Sequence, residues 1–259
     1  MAINVEQHGD SIRVVPLYVP DEIKAVAHAA PGTPPPDLTY RNGPLLSSVQ
    51  VFTVFWGQAW QQAPLSDLIT QLNNYFDYIL TSSLIDQLAE YNTSTQTISH
   101  GSRAGTATVT TPAPRHSATD SAVQRMLQTE IANNAAFVQP TANTLYFVYL
   151  PPGVVSVMGG SRSCQAYCGY HNDINNGQIY YAVMPYPGCG GCTGNLSAFE
   201  ALTSTSSHEL CEAITDPIPG LGWYDDANGE IGDICAWQTK QVGNYTVQQE
   251  WSDKAKACI

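Results

Sequence analysis

Hydrophobic positions recur with two periods along the chain, and each switch of period marks an element. Ile12 to Val19 reads as a strand, as does Ser48 to Trp56, where Val49-Gln50-Val51-Phe52-Thr53-Val54-Phe55 runs up to Gly57. Pro64 then opens a helix in which Leu65, Leu68, Ile69, Leu72, Phe76 and Ile79 lie at helical spacing. Residues 92 to 118 are rich in Thr, Ser and Ala and predict loops around one β-prone piece, Thr106 to Thr111. A second helix is expected from a cap at Thr119 or Asp120 through Val123, Met126, Leu127 and Ile131. Leu145 to Leu150 predicts a buried strand stopped by Pro151-Pro152-Gly153, and Gly177 to Tyr186 predicts another. A third helix follows, from roughly Ser197 to Thr215. No internal repeat is visible. The order of elements predicts an α/β fold, layered around a mixed central sheet.

The N-terminal part reads differently. After the first strand comes a short helical stretch, Asp21 to Ala30, and then the cluster Pro31, Pro34, Pro35 and Pro36, a composition that makes a stiff, extended linker. Residues 1–40 are therefore expected to be an arm and linker, and 41–259 a single domain. The full 259 residues can bury one sizeable core without a second domain.

Charge narrows the partners. A formal net charge of −12 and a pI near 4.6 leave no basic footprint, which argues against nucleic acid and against an anionic membrane surface. Asp21, Glu22 and Lys24 interrupt the apolar run of residues 12 to 30, no segment approaches the length of a membrane span, and no signal peptide is visible. Only 12% of residues are charged, a habit that fits a secreted protein.

The seven cysteines all fall between Cys164 and Cys258. Cys164 and Cys168 lie close together, Cys189 and Cys192 flank two glycines, and pairing of Cys235 with Cys258 would leave Cys211 as the odd thiol. A four-cysteine zinc site usually carries two C-x-x-C knuckles and only one is present, so disulfides and an oxidising compartment are expected.

Candidate chemistry centres on Ser207-His208-Glu209-Leu210-Cys211-Glu212. Four residues apart on a helix, His208 and Glu212 share a face, with Glu209 one step around. In an H-E-x-x-H helix two histidines hold zinc and the Glu is the general base; here Glu212 stands where the second histidine would be, as an oxygen ligand. The plainer reading is an amphipathic helix. Its stripe of Phe199, Leu202, Ser206, Leu210 and Ala213 would face the core and turn His208 and Glu212 to solvent. A third ligand is expected from Gly229-Glu230-Ile231-Gly232-Asp233, where the glycines favour a bent backbone. Asp233, anchored by Ile234 and Cys235, is the first choice, with Glu230 as the acceptor that orients His208 through its other ring nitrogen. Glu230 and His171 are the second choices as ligands. Asp225, Asp226, Asn228, Gly229 and Glu230 form an oxygen-rich loop in which a calcium site competes with a plain turn. His100 and His116 sit in Ser/Thr-rich loops and are expected at the surface.

Several motifs in order carry a resemblance. Val51-Phe52-Thr53-Val54-Phe55-Trp56-Gly57 with Trp60, the Cys168-Gly169-Tyr170-His171 turn, Cys189-x-x-Cys192, His208-Glu209-Leu210-x-Glu212, Trp223-Tyr224, Glu230-Ile231-Gly232-Asp233-Ile234-Cys235, Trp251 and Cys258 resemble the phosphate-induced protein (EXORDIUM-like) family from about residue 44 onward. Cys211 departs from the small residue usual there. The resemblance implies an extracellular protein and leaves the chemistry to the site. The layout also resembles zincin peptidases, in which the strand before the motif helix, here Gly177 to Tyr186, offers an edge for β-augmentation by substrate. The expectation is a secreted, monomeric zinc endopeptidase of zincin-like fold acting on peptide or protein, with Glu209 taking the proton of a metal-activated water. The alternative is a non-catalytic module that binds cell-wall glycan or protein through exposed Trp56, Trp60, Trp223, Tyr224 and Trp237.

Overall fold

Six strands form the central sheet: β1 (Val15–Pro16), β2 (Gln50–Trp56), β3 (Ser102–Val109), β4 (Thr144–Tyr149), β5 (Tyr167–Ile174) and β6 (Ile179–Met184). Their order across the sheet is β1-β5-β6-β4-β2-β3. The contacts β6–β4, β4–β2 and β2–β3 are parallel, whereas β5 runs antiparallel to β6 and β1 antiparallel to β5. The sheet is therefore mixed. The structure, a computed structural model, describes residues 5–7, 10–12, 14–19 and 34–259.

Successive side chains on a strand point to opposite faces, and the core divides accordingly. Val51, Phe55, Leu145, Phe147 and Tyr149 pack with helices α1 (Leu65–Ile79) and α3 (Ala198–Thr215). Phe52, Val54, Trp56, Tyr146 and Val148 pack with α2 (Asp120–Asn133) on the other side. Helices on both faces explain why β2 and β4 are apolar almost throughout instead of alternating with polar residues. The periodic positions of α1 supply its buried side chains Leu68, Leu72, Phe76 and Ile79. The N-cap of α2 is Thr119, whose hydroxyl accepts the Ala122 N–H at 3.2 Å. A reciprocal capping box between Ser197 and Glu200 starts α3.

Three sequence expectations need correction. The Cys168-Gly169-Tyr170-His171 segment is not a turn but half of β5, paired with β1 and β6 apart from a register shift at Cys168. Its glycine and the polar Asn172 and Asp173 hide the strand period. β6 is not an edge: β5 and β4 occupy both its sides, so its backbone groups are not free for an added substrate strand. Part of the expected N-terminal arm belongs to the sheet, because Val15–Pro16 pairs with β5 as an edge strand, where a proline is tolerated. The expected helix Asp21 to Ala30, with Pro31, lies outside the described residues.

Disulfides join Cys164 to Cys189, Cys168 to Cys192 and Cys235 to Cys258. Cys211 is free, as expected, and it is buried. The first two bonds tie the start of β5 to the segment that leads into α3. Three disulfides fit an oxidising environment. No helix among the described residues is long and apolar enough to cross a membrane.

Candidate metal centre

Every residue of α3 from Ala201 to Thr215 is buried, so the helix has no solvent face. This overturns the amphipathic reading. A hairpin of β7 (Thr239–Val242) and β8 (Tyr245–Gln248) covers the side opposite the sheet. Polar side chains enclosed in this way must find partners. Thr203 donates to the Thr246 carbonyl at 2.7 Å, Ser206 and the Tyr149 hydroxyl are 2.8 Å apart, and Ser207 Oγ accepts the Gln248 N–H at 2.8 Å.

The hairpin thereby delivers Gln248 to His208. The Gln248 amide donates to the Gly232 carbonyl at 2.8 Å, which turns its Oε1 toward His208 Nδ1 at 3.1 Å. An amide oxygen only accepts, so Nδ1 carries the ring proton and Nε2 is left facing Glu212 Oε1 at 2.9 Å. The Asp233 N–H also donates to Glu212 Oε1, at 3.1 Å. Glu230 does not orient His208 as the sequence implied; Gln248 holds that position. Nothing in the sequence marks Gln248, which is 40 residues from His208 and meets it only through the hairpin.

His208, Glu212 and Asp233 each offer a ligand atom, and these atoms all lie within 4.8 Å of one another; the same holds for His171, Glu209 and Glu212. His171 projects from β5, with Nδ1 3.0 Å from Glu209 Oε2 and Nε2 3.1 Å from the Asp216 carbonyl oxygen. Glu230 Oε1 lies 3.5 Å from the same Nε2, on the far side of the ring from Glu209. Two close approaches depend on missing side chains. A Cβ on Gly232 would sit 2.9 Å from Glu212 Oε1 and from the His208 ring, and one on Gly169 would sit 2.7 Å from Thr205 Cγ2 and 3.3 Å from Glu209 Oε1. Asp233, 9% exposed against 0–1% for His171, His208, Glu209, Glu212 and Glu230, marks the side nearest solvent.

Charge in this closed volume is lopsided. Burial by itself would lower the His208 pKa, but the Glu212 and Glu209 carboxylates outweigh it and lift it to about 10. Burial would raise Glu212, yet the two imidazoles, His208 first, hold it down at about 2. His171 is pushed well up by Glu230 and Glu209 against the opposing effect of burial. Glu230 is pushed well up by burial and then by the Glu212 charge, and Glu209 is raised mainly by burial. Buried Glu209 Oε1, Glu212 Oε2 and both Glu230 oxygens lack hydrogen-bond partners. Orphaned acceptors beside imidazole nitrogens are the chemistry of a cation site, since only a proton or a metal ion relieves them. The residues present therefore fit a divalent metal.

The remaining expectations sort by burial. Asp225 accepts N–H groups of Asp37, Ala227 and Asn228, and Asp226 pairs with Arg41 at the surface, so those two carboxylates are engaged in holding a turn. Trp56, Trp60 and Tyr224 are buried, and the half-buried Trp223 and Trp237 donate their indole N–H to the Tyr91 and Pro16 carbonyls. The stacking platform expected of these five is not at the surface. His100 and His116 are exposed, as expected, and His100 pairs with Asp86 at 2.8 Å. The cysteine alternative is excluded as well, because the sulfurs of Cys164, Cys189 and Cys192 are all in disulfides. No family model matches the chain, and no curated protein matches it.

Proposed function

We propose that this chain is a divalent-metal protein whose centre is built on α3, with His208, Glu212 and Asp233 as ligands, and that it acts as a secreted zincin-like zinc metallopeptidase. One observation carries the reading: the Gln248 carboxamide fixes the His208 tautomer so that Nε2 meets Glu212 Oε1 beside Asp233. One imidazole and two carboxylates suit zinc, with a further position open for water or substrate. Bound there, the ion supplies Lewis acidity. Glu209, adjacent on the helix and raised by its burial, takes and returns the proton at its carboxylate. Polypeptide must approach from the Asp233 side, which requires the turn carrying that residue to open. The likeness to EXORDIUM-like proteins and the three disulfides support an extracellular setting.

Full enclosure of the ligands favours a second reading, in which the ion is structural and clamps the Asp233 turn to α3 without turnover. Elemental analysis of protein purified without added metal, paired with hydrolysis of fluorescent casein, separates the two. Bound metal with hydrolysis that Glu209→Gln abolishes, the ion at His208 being retained, supports the peptidase. Bound metal without hydrolysis, and a large loss of Tm on chelation, supports the clamp. Failure to hold any divalent ion after reconstitution overturns both.

A further inference from the structure

The same rule that fixes His208 applies on the opposite side of Glu212. His171 Nε2 lies 3.1 Å from the Asp216 carbonyl oxygen, an atom that only accepts, so the ring proton belongs on Nε2. The Nδ1 lone pair then points at Glu209 Oε2, 3.0 Å away, and Glu212 Oε2, 3.5 Å away. An imidazole nitrogen and carboxylate oxygens converging inside a buried volume need positive charge between them, either a second ring proton or a metal ion, and their ligand atoms all lie within 4.8 Å of one another. Glu212 is shared: Oε1 faces His208 and Oε2 faces His171. We infer that the protein holds a second divalent cation between His171, Glu209 and Glu212, with the Glu212 carboxylate bridging it to the first.

Charge counting agrees. Glu209, Glu212, Asp216, Glu230, Asp233 and Glu250 are all buried around the two imidazoles. With the carboxylates ionised and the histidines neutral, one divalent ion would leave four negative charges enclosed, and a second would halve that excess. Among the orphaned atoms, Glu212 Oε2, Glu209 Oε1 and both oxygens of Glu230 lie on this side of the centre, with Glu230 Oε1 3.5 Å from His171 Nε2. A single ion at His208 would leave these atoms as they are. Filling the second position engages Glu209 as a ligand and withdraws it from proton transfer, so the second ion acts as a brake on the hydrolysis proposed above. The inference rests on the His208–Glu212–Asp233 reading but can fail separately from it.

The test is a count. Metal-free protein is titrated with Mn2+, bound ion is measured after desalting, and the electron paramagnetic resonance spectrum is recorded at each equivalent. Two ions per chain are expected, with an exchange-coupled signal emerging at the second, since carboxylate-bridged pairs sit roughly 3.5–4 Å apart. His171→Ala should lose one equivalent and the coupled signal while keeping the first ion. The wild-type count and spectrum stand alone if that variant does not fold. One uncoupled ion in the wild type overturns the second position and leaves the first intact. No bound ion overturns both, and two coupled ions in folded His171→Ala overturn the assignment to His171.

Discussion

His208 Nε2 meets Glu212 Oε1 at 2.9 Å, one helical turn along α3 and wholly out of solvent. The i,i+4 spacing sets the two side chains on one face, but their contact is directional only because Gln248 takes the other imidazole nitrogen. Gln248→Leu should therefore release the ring and lower Zn2+ affinity by ~10–100-fold, the usual loss when a residue that orients a ligand is removed. Calorimetric titration with Zn2+ measures it. Unchanged affinity in a folded variant would remove Gln248 from this role.

Gly232 sets the ligand-bearing turn directly against α3. A methyl group there would press on the His208 ring and Glu212 Oε1, both enclosed and unable to retreat far. Gly232→Ala is expected to destabilise the fold by about 1–3 kcal/mol through overpacking, and to weaken metal binding with it. Gly188→Ala is the matched control, because its Cβ would meet nothing nearer than 3.9 Å. Urea unfolding of both variants makes the comparison, and equal stability of the two would contradict it.

The metal-free protein should depend on pH in a way the His208–Glu212 pair dictates. His208 rises from 6.5 to about 10 on folding, so its contribution is complete below 6.5 and is lost as pH climbs through about 10. Glu212 falls from 4.5 to about 2, so its contribution is complete above 4.5 and is lost as pH drops through about 2. Both contributions are whole only between those unfolded values. A metal ion must displace the His208 proton, so Zn2+ affinity should climb about tenfold per pH unit between about pH 6 and pH 8. Titrations at three pH values in that window check the slope. A flat profile would mean that His208 binds the ion without losing a proton.

The Cys235–Cys258 bond follows Asp233 by two residues and ties its turn to the last strand of the chain. Replacing both cysteines with serine should cost about 3 kcal/mol of stability by freeing a loop of this length in the unfolded state. It should also loosen Asp233 and raise the dissociation constant for Zn2+. Thermal unfolding with and without metal separates the two effects: a shift without metal alone would mean that the bond serves the fold and not the ligand.

Local pattern was enough for the regular elements and for one part of the site. The periodic apolar positions of 65–79 and 120–133, the strands at 50–56 and 144–149, and the helix carrying His208, Glu209 and Glu212 follow from spacing and caps, which act over a few residues. The spacing of His208 and Glu212 likewise determined that they share a face. What lies on that face is a different matter, because it depends on segments far along the chain. The hairpin at 239–248 closed over α3, made its polar side buried, and brought Gln248 to His208. Pairing of 167–174 with 179–184 placed His171 against Glu209 and moved the expected substrate edge into the interior of the sheet. Cysteine partners were settled in the same way, by strands and turns that approach only in three dimensions. Periodicity records which way a side chain points from its own backbone; burial, partner and charge belong to whatever packs against it, and that is decided by tertiary structure alone.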